Sequence, residues 1–126
     1  MTSNRARISI LIAVYNGAEV LSNSIESLQN QSLKEIEIVC VDDFSSDDSL
    51  SVLEKYAKDD QRIRIVHFAS NRGTVCARKA GVEAATGEYI MFMDQDDSYN
   101  PSACKELYEL IKRKNVDILH YRSRVI

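Results

Sequence analysis

A chain of 126 residues is long enough for one domain with a real core and short for two. Its 44% hydrophobic and 28% charged residues are those of a globular protein, which excludes a disordered or fibrous chain. A formal net charge of -3 supplies no bulk attraction to nucleic acid, and no apolar run approaches the roughly 18 residues of a membrane span.

The opening stretch MTSNRARISILIAVYNG places Arg5 and Arg7 before a short apolar run. A signal peptide would need a longer run and a small-residue cleavage site. The stretch therefore reads as a first strand, Ile8 to Val14. Four more β-branched, apolar runs follow at Ile36 to Val41, Ile63 to Phe68, Tyr89 to Met93 and Val116 to Tyr121. Their starts lie about 26 to 28 residues apart, the length of one strand–helix unit.

Helix-length segments fill the gaps. Gly17 to Gln29 sets Val20, Leu21, Ser24, Ile25 and Leu28 on one face. Ser46 to Lys58 repeats the pattern behind Ser45, Ser46, Asp47 and Asp48, residue types that cap helix N-termini. Thr74 to Ala85 is alanine-rich and small, as a crossover helix packed close to a sheet would be. Pro101 to Lys114 begins with proline in its first turn and ends in Lys112, Arg113 and Lys114. Strands one and two are almost continuously apolar, so both faces are covered. The expectation is a three-layer α/β/α sandwich with a mostly parallel sheet and right-handed crossovers.

In such sheets ligands bind at the carboxyl ends of the strands. Strand one ends in Ala13-Val14-Tyr15-Asn16-Gly17, and strand two in Asp42-Asp43-Phe44-Ser45. Strand four, read as a buried strand, ends in Asp94-Gln95-Asp96-Asp97. The third runs into Asn71-Arg72-Gly73, before a helix carrying Arg78 and Lys79. Carboxylates this crowded repel one another by roughly 1 kcal/mol per pair at 4 Å in water, and by several at a protein surface. Protonation, a basic partner or a bound cation would relieve that repulsion. An Asp-x-Asp pattern suits a hard cation such as Mg²⁺ or Mn²⁺.

Each feature also has an ordinary structural reading. Asp47 and Asp48 serve equally as a turn and a cap, Tyr15 as packing, and Arg72, Arg78 and Lys79 as a solvated face. No GxGxxG, GxxxxGK[ST] or GxSxG motif is present. Cys40, Cys76 and Cys104 are odd in number and lack a CxxC pair, which fits reduced thiols in a cytoplasmic protein. Neither His67 nor His120 has zinc-ligand spacing to a cysteine.

Four blocks resemble family 2 glycosyltransferases. ISILIAVYNG resembles their strand-one opening, and QNQS with EIEIVCVDDFSSD resembles the block that ends in two aspartates. NRG through ARKAG and TGEYIMFMDQDD resemble the third and fourth blocks, in the family's order and spacing. Lys79 stands where that family often carries asparagine.

The resemblance implies a GT-A type (Rossmann-like nucleotide-diphospho-sugar transferase) fold. It implies that residues 1–126 are the nucleotide-sugar-binding part of a longer domain, with a general base beyond Ile126. Tyr15 would lie against the nucleobase, with Ala13 giving backbone contacts. Asp43 would accept from the base, and Asp42 would shape that pocket. Asp94, Asp96 and Asp97 would meet Mn²⁺ or Mg²⁺, ribose and diphosphate, and Arg72 or Arg78 the phosphates.

The reaction implied is an inverting transfer from a UDP-sugar to a glycan or lipid-linked acceptor, as in cell-surface polysaccharide synthesis. It would occur in the cytoplasm or peripherally at the membrane's inner face; the basic residues Lys112, Arg113, Lys114, Arg122 and Arg124 fit either a lipid surface or plain water. A receiver-type phosphoacceptor module and a non-catalytic α/β scaffold are the alternatives.

Overall fold

The computed structural model describes residues 5–119. Four strands alternate with four helices: β1 (Ile8–Val14), α1 (Leu21–Gln29), β2 (Ile36–Asp42), α2 (Ser49–Asp59), β3 (Ile63–His67), α3 (Thr74–Ala84), β4 (Tyr89–Asp94) and α4 (Ala103–Lys114). All strand pairs are parallel, in the order β3-β2-β1-β4. The chain winds outward from β1 to β3, then crosses back to lay β4 on the other side of β1. Between β1 and β4, therefore, the strand order reverses.

Two apolar layers follow from the period-two alternation of strand side chains. Ile8, Ile10, Ile12 and Val14 of β1 join Ile38, Cys40, Met91 and Met93 beneath α1, α2 and α4, where Leu21, Leu53 and Cys104 are buried. Leu11, Val39 and Val41 face the other way, against Ala77, Ala80 and Ala84 of α3 and Phe68. The three-layer sandwich expected from the sequence is what forms. Gly81 allows α3 to lie close to the sheet, since a Cβ there would stand 2.5 Å from Leu11 Cδ2.

Three helices start later than their apolar periodicity predicts, because side chains and turns use the preceding N–H groups. Val20 and Leu21 both donate to the Gly17 carbonyl. Ser46 and Asp47 donate to Asn16 Oδ1, and Ser102 donates to Asn100 Oδ1. Buried Gln31 ties α1 to α4, accepting from Cys104 N–H at 3.0 Å and donating to the Ser27 and Asn100 carbonyls.

Two expectations need correction. Strand β4 is buried on one face only: Met91 and Met93 are covered while Ile90 and Phe92 are exposed, because α3 packs over β1 and β2 and leaves β4 open. The fifth strand, Val116 to Tyr121, does not form over residues 116–119, and its remainder lies outside the described residues.

Candidate active site

At the carboxyl edge of the sheet, on the α3 side, a cleft of about 350 Å³ opens between the ends of β1 and β4. Ala13, Tyr15, Asp43, Arg78, Asp94 and Asp96 line it. Strand order explains the place. A parallel sheet leaves a crevice where successive connections leave in opposite directions, and here that point is between β1 and β4. A receiver-type module has the order 2-1-3-4-5, with β1 beside β3, so this topology rules that alternative out.

The adjacent aspartates at the end of β2 part company. Asp43 follows Val39 and Val41 onto the α3 face and reaches the cleft. Its Oδ1 accepts from Arg72 N–H at 2.7 Å and its Oδ2 from Gly73 N–H at 2.9 Å, so the carboxylate fixes the entry to α3. Each oxygen retains a second lone pair for a ligand donor. Asp42 follows Ile38 and Cys40 onto the opposite face and does not line the cleft. It is fully buried, accepting from Ser45 Oγ at 2.5 Å and meeting His67 Nδ1 at 2.9 Å.

The loops after β1 and β2 are stitched together. Asn16 N–H donates to Ser45 Oγ, Gly17 N–H to Ser49 Oγ, and Ala18 N–H to Asp47 Oδ2. Asp47 also accepts from the Ser49 N–H and hydroxyl. Slight burial pushes the Asp47 carboxyl up, but these hydrogen bonds outweigh it and hold the group below the usual carboxylate range. Asn16 and Phe44 sit in the left-handed region at φ 48° and 58°. Asp47 thus joins two loops, a larger role than the cap its sequence context suggests; Asp48, the N-cap residue of α2, makes no side-chain cap hydrogen bond.

Of the two candidate arginines, Arg78 lines the cleft, with its guanidinium 3.9 Å from Asp94 Oδ1 and 5.9 Å from the Phe92 ring centre. Arg72 lies outside it, stacked 4.7 Å over the Phe68 ring. Asp94 and Asp96 are exposed and line the cleft, whereas Asp97 does not, its N–H closing a turn onto the Asp94 carbonyl at 3.0 Å. Among the described residues no three His, Cys, Asp or Glu side chains converge as a metal site. Two carboxylates at the rim still match a hard cation that takes its other ligands from phosphate oxygens and water.

Gln95, Thr74 and Phe92 line the cleft without having been singled out in the sequence. Thr74 is the first residue of α3, and that position is the only sequence signal it carries. A second, more open hollow of about 620 Å³ lies at the opposite end of the sheet. It is lined by Arg7, Glu35, Tyr108, Glu109 and Lys112 among others, a mixture of charges at the amino ends of the strands.

A parallel sheet with this switch point, a ring at the end of β1 and acids at the ends of β2 and β4, defines a GT-A type fold. A model of "Glycosyl transferase family 2" matches residues 9–126, and the chain belongs to that family. It is 42% identical over 100 residues to "Putative glycosyltransferase EpsH" of Bacillus subtilis (strain 168), covering 79% of this chain and 29% of that protein. Among solved structures, S. aureus TarS 1-349 in complex with UDP-GlcNAc superposes with a TM-score of 0.81 at 28% identity, covering 86% of this chain and 32% of that one. The mannosyltransferase PcManGT from Pyrobaculum calidifontis, in complex with GDP-Man and Mn²⁺, shares the fold with a TM-score of 0.73 at 24% identity. The chain spans about a third of the length of these relatives. No helix among the described residues is long and apolar enough to cross a membrane.

Proposed function

We propose that this chain is the donor-binding part of a glycosyltransferase that moves a sugar from a UDP-sugar to a hydroxyl of a glycan or lipid-linked acceptor. One observation carries the reading: the cleft at the switch point gathers Tyr15, Asp43, Arg78, Asp94 and Asp96 at one edge. In this reading the exposed Tyr15 ring lies against the base, and the free lone pairs of Asp43 accept from its imide N–H. Arg78, on the rim, pairs with phosphate oxygens and draws the donor's charge away from the acids.

Asp94 and Asp96 would hold Mg²⁺ or Mn²⁺. The cation, when bound, would neutralise charge growing on the departing diphosphate. Transfer forms a bond from the acceptor oxygen to the anomeric carbon as the bond from that carbon to the diphosphate oxygen breaks. A carboxylate general base takes the hydroxyl proton, giving inversion. We assign that base to the part of the relatives' length that this chain does not span. The basic end of α4, with Arg113 and Lys114 exposed, would face an anionic membrane surface on the cytoplasmic side.

Calorimetric titration of UDP and GDP, with and without Mn²⁺, tests the reading. UDP binding that strengthens with Mn²⁺ and loses that gain in Asp96→Ala is the expected result. If neither nucleotide binds under any condition, the reading is wrong.

A further inference from the structure

The backbone ladder between β1 and β4 ends at the pair Ala13 and Asp94. A side chain continues it. Gln95 Oε1 accepts from Tyr15 N–H at 2.9 Å, and Gln95 Nε2 donates to the Tyr15 carbonyl at 3.0 Å. A carboxamide carries the same donor and acceptor as a peptide group, so it completes both backbone bonds of Tyr15. Gly17 leaves the room for it, since a Cβ at that position would collide with Gln95 Oε1. Tyr15 is 48% exposed, and what Gln95 holds is its backbone.

Gln95 is flanked by Asp94 and Asp96, whose turn is closed by the Asp97 N–H. One side chain thus ties the residue facing the base to the two carboxylates facing the diphosphate. We infer that Gln95 is a positioning residue that sets the spacing between the base-binding and diphosphate-binding halves of the donor site. The inference rests on the donor-site reading above. A ligand that engages both halves gains affinity from their fixed separation, whereas a ligand engaging one half gains none.

The test compares three probes on wild type and Gln95→Ala: UDP with Mn²⁺, uridine alone, and pyrophosphate with Mn²⁺. UDP affinity is expected to fall about tenfold while uridine and pyrophosphate stay within about twofold. Gln95→Glu keeps the acceptor for Tyr15 N–H but loses the donor to its carbonyl, so its UDP affinity should fall between the two. Unchanged UDP affinity in Gln95→Ala would overturn the inference, as would equal weakening of all three probes with a lowered Tm. Wild type that binds no UDP would sink the donor-site reading itself, a result distinct from either.

Discussion

The carboxylate of Asp42, fully buried at the end of β2, meets the Nδ1 of half-exposed His67 at 2.9 Å across the β2–β3 pair. A buried carboxylate without enough donors is costly, and besides His67 only Ser45 donates to it, by its hydroxyl at 2.5 Å and its N–H at 3.4 Å among the described residues. Replacing His67 with alanine is expected to destabilise the fold by about 1–3 kcal/mol. His67→Asn, which keeps a donor, should recover part of the loss. Urea denaturation of the three proteins measures both effects.

The acids after β4 are not equivalent. Asp94 and Asp96 line the cleft and Asp97 does not. Asp94→Ala is therefore expected to reduce the Mn²⁺-dependent gain in UDP affinity on the order of tenfold or more. Asp97→Ala should cost far less. Equal losses in calorimetric titrations would show that the cleft geometry does not set the division of labour.

Phe44 holds φ at 58° and is 51% exposed. Left-handed backbone costs an L-residue about 1–2 kcal/mol, part of which glycine returns as extra entropy in the unfolded chain. Phe44→Gly should therefore stabilise the protein by about 0.5–1 kcal/mol. Phe44→Val, β-branched at the same angle, should destabilise it. Thermal unfolding of the pair decides, and a Phe44→Gly variant less stable than wild type would contradict the strain argument.

Besides Asp47, Glu37 and Asp60 are carboxylates that make stability depend on acid. Burial pushes the Glu37 carboxyl up, but hydrogen bonds from Thr86 N–H, Ser9, Arg64 and the Thr86 hydroxyl outweigh it and leave it below the usual glutamate value. The Arg62 side chain pulls Asp60 down to about 2 against the opposing effect of burial, with help from Arg62 N–H and Gln29. Groups lowered in the folded state stabilise it above their ordinary values, and that contribution is lost as pH falls through the folded value. Denaturation midpoints should thus hold steady from about pH 7 to 5 and fall from about 4.5 toward 2. The double variant Glu37→Gln with Asp60→Asn should show a shallower fall and a lower midpoint at neutral pH.

Much of this was legible in the chain. Strands one to four lie where the β-branched runs place them, and the alanine-rich segment does form a helix packed close to the sheet. Period-two alternation already implied that Asp42 and Asp43 face opposite ways, although the motif presents them as a pair. Helix starts were less legible, because Asn16 and Asn100 accept N–H groups that the apolar pattern assigns to helices. Gln95 gave no signal beyond a carboxamide between two aspartates.

The sequence by itself determined the alternation of strand and helix, the acids at the strand ends and the sheet edge where a ligand belongs. These depend on neighbours within a few residues, and local periodicity encodes them. Only the tertiary structure decided that β4 returns beside β1, so that the switch point falls between Tyr15 and Asp94. Strand order is fixed by pairings between residues about 80 positions apart, such as Ile8 with Tyr89, and no local pattern carries that information. The same long-range closure brought Gln95 onto Tyr15, turning an ordinary glutamine into the link across the site.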